Sequence, residues 1–332
     1  MTKSTRISYV IMAALLVLVG WLHLATLLLT ALFGYFALRL FSFGRSKLLG
    51  VILYVIAVVA IGYGLVFFSH QAYKKLPEIA EITIPAVVNF AEKQGIEPPF
   101  KDYASLKREA LNEVQERIAN VGRYAREAVL QLAMLIIGLV VAASLFINAR
   151  WEVEGDPDTV KDNLYSAVAR ELAIRFENFY RSFATVIGAQ ITISAINTLL
   201  TAIFLVWTGF PYAPVIIGLT FLCGLLPIIG NILSNTLIVG VGFTISPKMA
   251  LFALLFLIVI HKLEYFLNSK IIGDRIKNPM WLTLLGLVLG EKLMGIPGMI
   301  LAPVVLHYLK LEASRNKVSD LATEPSESRK AA

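Results

Sequence analysis

The chain has 332 residues, of which 57% are hydrophobic and 16% charged, whereas soluble globular proteins carry roughly 25% charged residues; with a mean hydropathy of +0.72, this excludes an ordinary soluble domain. The formal net charge is +7, but Lys and Arg are scattered among acids rather than gathered on one polar module, which argues against a nucleic-acid partner and leaves membrane orientation as the source of the excess. Cys223 is the only cysteine, so no intrachain disulfide can form, and its setting in "GLTFLCGLLP" is that of a small buried hydrophobe.

Apolar stretches of about 20 residues, long enough to cross a bilayer, recur along the chain and predict an all-α, polytopic integral membrane protein of about eight segments, some of them short or re-entrant hairpins. Lys3 and Arg6 precede the first block, Ile7 to Leu38, which is far longer than the roughly 7–15 residues of a signal-peptide core. It is therefore expected to stay in the mature protein. Gly20, Trp21 and His23 near its middle fit either two short helices or one tilted span. Arg39, Arg45 and Lys47 follow it, so the positive-inside rule places both flanks in the cytoplasm, which a helical hairpin satisfies. The span Leu48 to Phe68 then completes an N-terminal portion, 1–68, and exits the cytoplasm.

Residues 69–127 read as an extracytoplasmic polar region. Pro77, Pro85, Pro98 and Pro99 lie in its first half. In the second half, Leu106, Ala110, Val114, Ile118, Val121 and Ala125 recur every three or four residues, an amphipathic helix. Its apolar face suits a lid on the membrane domain or an interface between subunits. The span 128–148 returns the chain to the cytoplasm. Within 149–181, Asp156 and Pro157 form a helix start for a second amphipathic helix, with Val160, Leu164, Ala167, Val168, Leu172, Phe176 and Phe179 on one face. Arg170, Arg175 and Arg181 among these aromatics suit the inner membrane surface or packing on other cytoplasmic loops.

Residues 182–309 read as a C-terminal membrane domain with broken helices. Spans at Phe183–Trp207, Val215–Leu226, Asn231–Ile245 and Met249–Asn268, with a break at "PIIG", begin inside at Arg181 and end inside at Lys270. The last block, Trp281 to Leu309, is interrupted by "GEKLMGIPG" and fits a re-entrant hairpin or two short helices. The polar tail 310–332 would then lie in the cytoplasm, disordered.

Candidate functional residues follow from length. Met249 to Ile260 reaches only about 18 Å as a helix, short of a hydrocarbon core of about 30 Å, so the span must include "HKLEYFLN". His261, Glu264 and Asn268, spaced by three and four, then share one face within the membrane zone. A carboxylate there costs roughly 2.5–3.5 kcal/mol on insertion scales and normally faces a bundle interior or wet cavity. The stripe predicts a solute or ion path through Glu264, His261, Asn268 and Lys270. The plainer alternative is that Lys262 and Lys270 snorkel to headgroups and Glu264 makes a structural ion pair. Pro227 with Gly230, and Gly295 with Pro297 and Gly298, mark helix breaks of the kind that form transporter sites, or plain turns. Glu291 and Lys292 beside the second break form a candidate ion pair, or a partner for Glu264. Gly286 and Gly290 make an unspecific GxxxG pair. No HExxH, GxxxxGK[ST], GxSxG or CxxC occurs, so neither an enzyme nor a resident metal or cofactor is expected.

"GLLPIIGN", the glutamate of "HKLEYFLNSKIIG", the proline of "NPMWLTLLGLVLG" and the closing "GIPGMILAPVVL" resemble, in order and spacing, the signature of the autoinducer-2 exporter family of bacterial inner-membrane proteins. "VIGAQ" extends the resemblance, which covers roughly residues 120–310. It implies an oligomeric permease of about eight membrane segments moving a small solute outward on an ion gradient. It also implies pattern positions at Pro227, Gly230, Glu264, Lys270, Gly273, Pro279, Gly290, Gly298 and Pro303. Many members carry a proline where this chain has Ser269, so the helix end differs. The expectation is a transporter of a small polar solute driven by a proton or sodium gradient, with both termini cytoplasmic. Two rivals stand beside it: a cation/proton antiporter, and a non-transporting scaffold that docks partners on its amphipathic helices.

Overall fold

The structure, a computed structural model, describes residues 2–42, 46–95, 121–148, 163–226, 229–272 and 279–315. Among these residues every element is helical: α1 (Lys3–Trp21), α2 (Ala25–Phe41), α3 (Lys47–Lys93), α4 (Val121–Ile147), α5 (Leu164–Trp207), α6 (Ala213–Gly224), α7 (Ile229–Ile245), α8 (Pro247–Ile272) and α9 (Met280–Arg315). Four of them, α1, α3, α4 and α5, are long and apolar enough to cross a membrane as single helices, and α9 is as apolar over residues 281–314 but kinks at Gly295. Large apolar side chains such as Val59, Val66, Val140, Val206 and Leu289 stand exposed on these helices, as suits a surface solvated by lipid rather than water. The chain is a multi-pass, all-α membrane protein. The amphipathic helix expected over 102–127 falls, except for its last turns in α4, outside the described residues. So do the cap at Asp156 and Pro157, Pro227, Gly273 and the tail from 316 onward.

The chain divides into two compact units. The first comprises Met1–Val51, Met134–Ile187 and Arg275–Ala332. Here the opening apolar block forms two short helices, α1 and α2, turned at His23, whose φ is 54°. Gly138 of α4 packs against α2 so closely that a Cβ there would lie 2.7 Å from Thr30 Cβ and 2.9 Å from the Leu27 carbonyl oxygen. Phe33 meets Phe183 edge-on at 5.1 Å, and Tyr35 meets Tyr180 at 4.9 Å.

The last block is a tight hairpin within α9. Gly295 turns it with φ 63° and ψ −147°, a region open essentially to glycine. On either side the two arms press together through small residues. A Cβ on Gly290 would meet the Gly298 carbonyl and Ala302, a Cβ on Gly298 would meet the Gly290 carbonyl, and one on Gly286 would lie 3.0 Å from Leu306 Cδ1. The arm from Met280 to Met294 is only about 22 Å long at 1.5 Å per residue, too short to cross. Gly298→Ala is expected to destabilise the protein by about 1–3 kcal/mol, the usual cost of overpacking, because the obstructing atoms are backbone. Thermal unfolding in detergent checks this, and a variant melting with wild type would show that the arms are free to separate.

The second unit comprises Ile52–Ala133 and Gly188–Asp274. Its core gathers Ala72 and Ile79 of α3, Phe204 and Leu205 of α5, Ile216 of α6, Ile238 and Val241 of α7, and Ala253 and Leu257 of α8. Phe204 stacks on Phe256 with centroids 4.1 Å apart. Two expectations change here. The helix that carries the expected span Leu48 to Phe68 does not end with it: α3 runs on through Pro77 and Pro85 to Lys93. Each proline removes a backbone N–H and frees the carbonyl four residues back, at Tyr73 and Glu81, at about 3 kcal/mol in a helix interior, but burial of Ala72, Ile79 and Val88 holds the helix across both. Likewise, the second amphipathic helix and the span expected from Phe183 are one 44-residue helix, α5.

Candidate functional site

Glu264 sits on α8, about 12 Å before the end of that helix at 1.5 Å per residue, with its side chain 16% exposed. Two amides from two other helices hold its carboxylate. Asn231, in the first turn of α7, donates through Nδ2 to Oε1 at 3.0 Å and to Oε2 at 2.9 Å. Asn197 of α5 donates to Oε2 at 3.3 Å. These neutral amides replace part of the carboxylate's hydration and bring no opposite charge to it. The Asn197 side-chain oxygen is buried and has no hydrogen-bond partner among the described residues, which leaves a further acceptor beside the carboxylate.

His261, one turn earlier on α8, places Nδ1 3.8 Å from Glu264 Oε2 while 68% of its side chain is exposed. It stands on the open side of the carboxylate and becomes an ion-pair partner only when protonated. The helix face expected from the spacing thus carries a half-sheltered carboxylate with an exposed imidazole beside it. Asn268 and Lys270 occupy the last turns of α8, and their side chains lie outside the described residues.

The helix break near this site explains how Asn231 reaches the carboxylate. Gly230 packs directly on the Cys223 carbonyl at the end of α6, where a Cβ cannot fit. On α5, Gln190 Nε2 donates to the Gly224 carbonyl at 2.6 Å and the Ser194 hydroxyl donates to the Phe221 carbonyl at 2.9 Å. These are among the final carbonyls of α6, which have no partner within their own helix. The side chains of α5 therefore cap the break and fix the start of α7. Asn231→Ala removes both bonds to Oε1 and Oε2, and is expected to lower stability by about 1.5–3 kcal/mol, the range for hydrogen bonds to a charged group. A melting temperature equal to wild type would show that the amide does not hold the carboxylate.

Asn197 and Asn231 are the residues that the spacing argument on α8 passed over. A signal for Asn197 existed. Gln190, Ser194, Asn197 and Thr201 recur at four, three and four residues in the otherwise apolar span of α5, and Ser194, Asn197 and Thr201 are all buried. For Asn231 the only signal was its place directly after the glycine of the break.

The other sequence candidates belong to the first unit. Gly295 is the hairpin turn, and Pro297 and Gly298 open its second arm. Lys292 Nζ and Glu291 Oε2 lie 3.9 Å apart, both well exposed, so Glu291 finds its partner in its own neighbour.

Residues 7–312 match the family described as "AI-2E family transporter". Among proteins of known name, the chain is similar to "Putative transport protein YdbI" of Bacillus subtilis (strain 168), 25% identical over 217 residues that make up 64% of this chain and 60% of the relative. It is also similar to "Putative transport protein YueF" of the same organism, 35% identical over 104 residues, 31% of this chain and 28% of the relative. The chain thus spans 60% of the first relative's length and 28% of the second's.

Proposed function

Because this chain belongs to the AI-2E family of transporters, we propose that it is a permease for a small polar solute, not an enzyme, and that Glu264 is the ionisable group of its path. It works in the bacterial inner membrane with both termini cytoplasmic, a reading that the positive flanks of the first block support for the N-terminus and the charges after α8 with the closing hairpin support for the C-terminus. The observation that carries the reading is the Glu264 carboxylate held at 2.9–3.3 Å by amides from two separate helices. A structural ion pair would set a cation against Glu264, whereas neutral amides leave its charge available to a proton, a cation or a solute hydroxyl. Asn197 and Asn231 orient the carboxylate, the free oxygen of Asn197 offers a second acceptor, and His261 stands at the open side. The path is assembled in a homo-oligomer embedded in lipid, driven by a proton or sodium gradient.

Reconstituted protein tests this directly. Vesicles carrying an internal pH dye are exposed to sodium, lithium and a panel of small polar metabolites. Proton movement triggered by one solute is the expected result. A response to sodium alone would assign cation/proton exchange at the same carboxylate. Silence across the panel from folded protein would overturn coupled transport.

A further inference from the structure

In the first unit, α2 and α5 flank an open cleft of about 500 Å³ that the path through Glu264 does not use. Phe36, Leu40 and Ala184 are its apolar lining, and Thr185 also lines it. Its rim carries two guanidiniums, Arg39 and Arg181, with Tyr180 between them.

The sequence fixes the depth of this cleft. Along α2 no charged residue occurs from Ala25 to Leu38, and Arg39 is the first charge after that run. Along α5 none occurs from Phe183 to Trp207, and Arg181 is the last charge before it. The two arginines therefore mark the same edge of the apolar zone on helices that touch there, since the Arg39 guanidinium lies 5.6 Å from the Tyr180 ring centroid. Tyr180 and Tyr35, in edge contact, are the aromatic residues that favour headgroup level. Arg39 has no ion pair with any described acid. Arg181 is held by Glu177 at 2.8 Å, but both side chains are more than half exposed, and such pairs are weak and easily exchanged. With Glu177 included, the rim keeps one net positive charge.

We propose that this cleft binds the phosphodiester headgroup of an anionic phospholipid, the guanidiniums of Arg39 and Arg181 taking the phosphate oxygens and the apolar lining of Phe36, Leu40 and Ala184 taking the first carbons of the acyl chains. Guanidinium forks match phosphate oxygens in pairs, and basic pockets between membrane helices at headgroup level take acidic lipids. A choline headgroup offers the same phosphate but sets its own cation beside the two arginines, so it gains less than a headgroup of net negative charge. The assignment rests on the membrane placement of the chain and is independent of the role of Glu264.

Native mass spectrometry of the full chain, released from neutral detergent after equilibration with phosphatidylglycerol or phosphatidylcholine, reads the site. Wild type is expected to retain phosphatidylglycerol on the order of tenfold more than phosphatidylcholine, about one order of magnitude being what one to two interfacial charges supply. The double variant Arg39→Gln/Arg181→Gln is expected to lose that preference, while Glu264→Gln keeps it. Thr185→Trp, which fills the cleft and leaves both charges, is expected to lose the lipid as well. Equal retention of the two lipids by wild type overturns the proposal without any variant. Unchanged preference in the double glutamine variant overturns it too. Displacement of phosphatidylglycerol by millimolar inorganic phosphate or glycerol phosphate would show a soluble anion to be the occupant, and would overturn the lipid assignment.

Discussion

Glu264→Gln is expected to abolish solute-coupled proton movement, a fall of at least about a hundredfold if protonation of this carboxylate is an obligatory step, while leaving the protein folded and its oligomer size unchanged. The substitution keeps the shape and the capacity to bond. Asn231 and Asn197 lie within 2.9–3.3 Å of the carboxylate oxygens, and an amide at 264 can accept from one of them and donate to the rotated oxygen of the other. It removes only the charge and the titration. Thermal stability should therefore change by less than about 1.5 kcal/mol, the net worth of an ordinary hydrogen bond. That pairing of a large functional loss with a small structural one separates a transport group from a structural anchor. Normal coupling in a folded Glu264→Gln protein would sink the proposed path. Loss of both folding and transport would instead make Glu264 a helix-holding residue.

The second large effect lies in the first unit. Glu312, near the end of α9, is 6% exposed, and Arg175 of α5 is 8% exposed, with 3.3 Å between Nη1 and Oε2. Glu312 also accepts from the Tyr9 hydroxyl at 2.8 Å and from Asn178 Nδ2 at 2.7 Å. Arg175 in turn reaches Glu171 at 2.9 Å and lies 4.2 Å from the centroid of the Tyr9 ring. One buried network thus ties α1, α5 and α9. Glu312→Ala removes the carboxylate that Asn178 and Tyr9 bond and the more buried of the two acids that meet Arg175, so it is expected to destabilise the protein by about 3–5 kcal/mol, the cost of breaking a buried pair. The double variant Arg175→Met/Glu312→Leu removes both charges and is expected to recover most of that loss, because well-packed hydrophobic replacements of buried pairs are often neutral. Unfolding followed by circular dichroism in detergent measures both. If the single variant melts with wild type, the network does not hold these helices together.

This network also shows what sequence reading left open and why. The apolar pattern over 160–179 put Phe176 and Leu164 on one helix face, suited to the membrane surface or to packing on other loops. In the structure both are exposed, while Arg175, Asn178 and Phe179 are buried. Hydrophobicity predicts burial when the outside is water. On a helix at a membrane surface the outside is partly lipid, so an aromatic gains little by turning inward, and an arginine can turn inward if acids on other helices meet it. Glu312 lies far along the chain from Arg175, and nothing local announces the pair. Pro77 and Pro85, which the sequence placed in a polar region after the third span, lie inside α3, where long-range burial of Ala72 and Ile79 outweighs them.

What the sequence determined by itself was therefore the class and the depth of its parts. Composition and the length of apolar runs dictated an all-α membrane protein, because a bilayer admits only segments that satisfy their own backbone groups. The same length argument forced His261 and Glu264 into α8 rather than a turn, and the order of motifs pointed to the family. Gly295 marked its hairpin because no other residue adopts that backbone. The partners of each polar group were decided only by tertiary structure. That Glu264 meets Asn231 and Asn197, that Gln190 and Ser194 close the end of α6, and that Arg175 meets Glu312 all depend on which helix faces lie together. Those faces are chosen by close packing at glycines and by the need to pair every buried polar atom, conditions set jointly by residues distant in sequence.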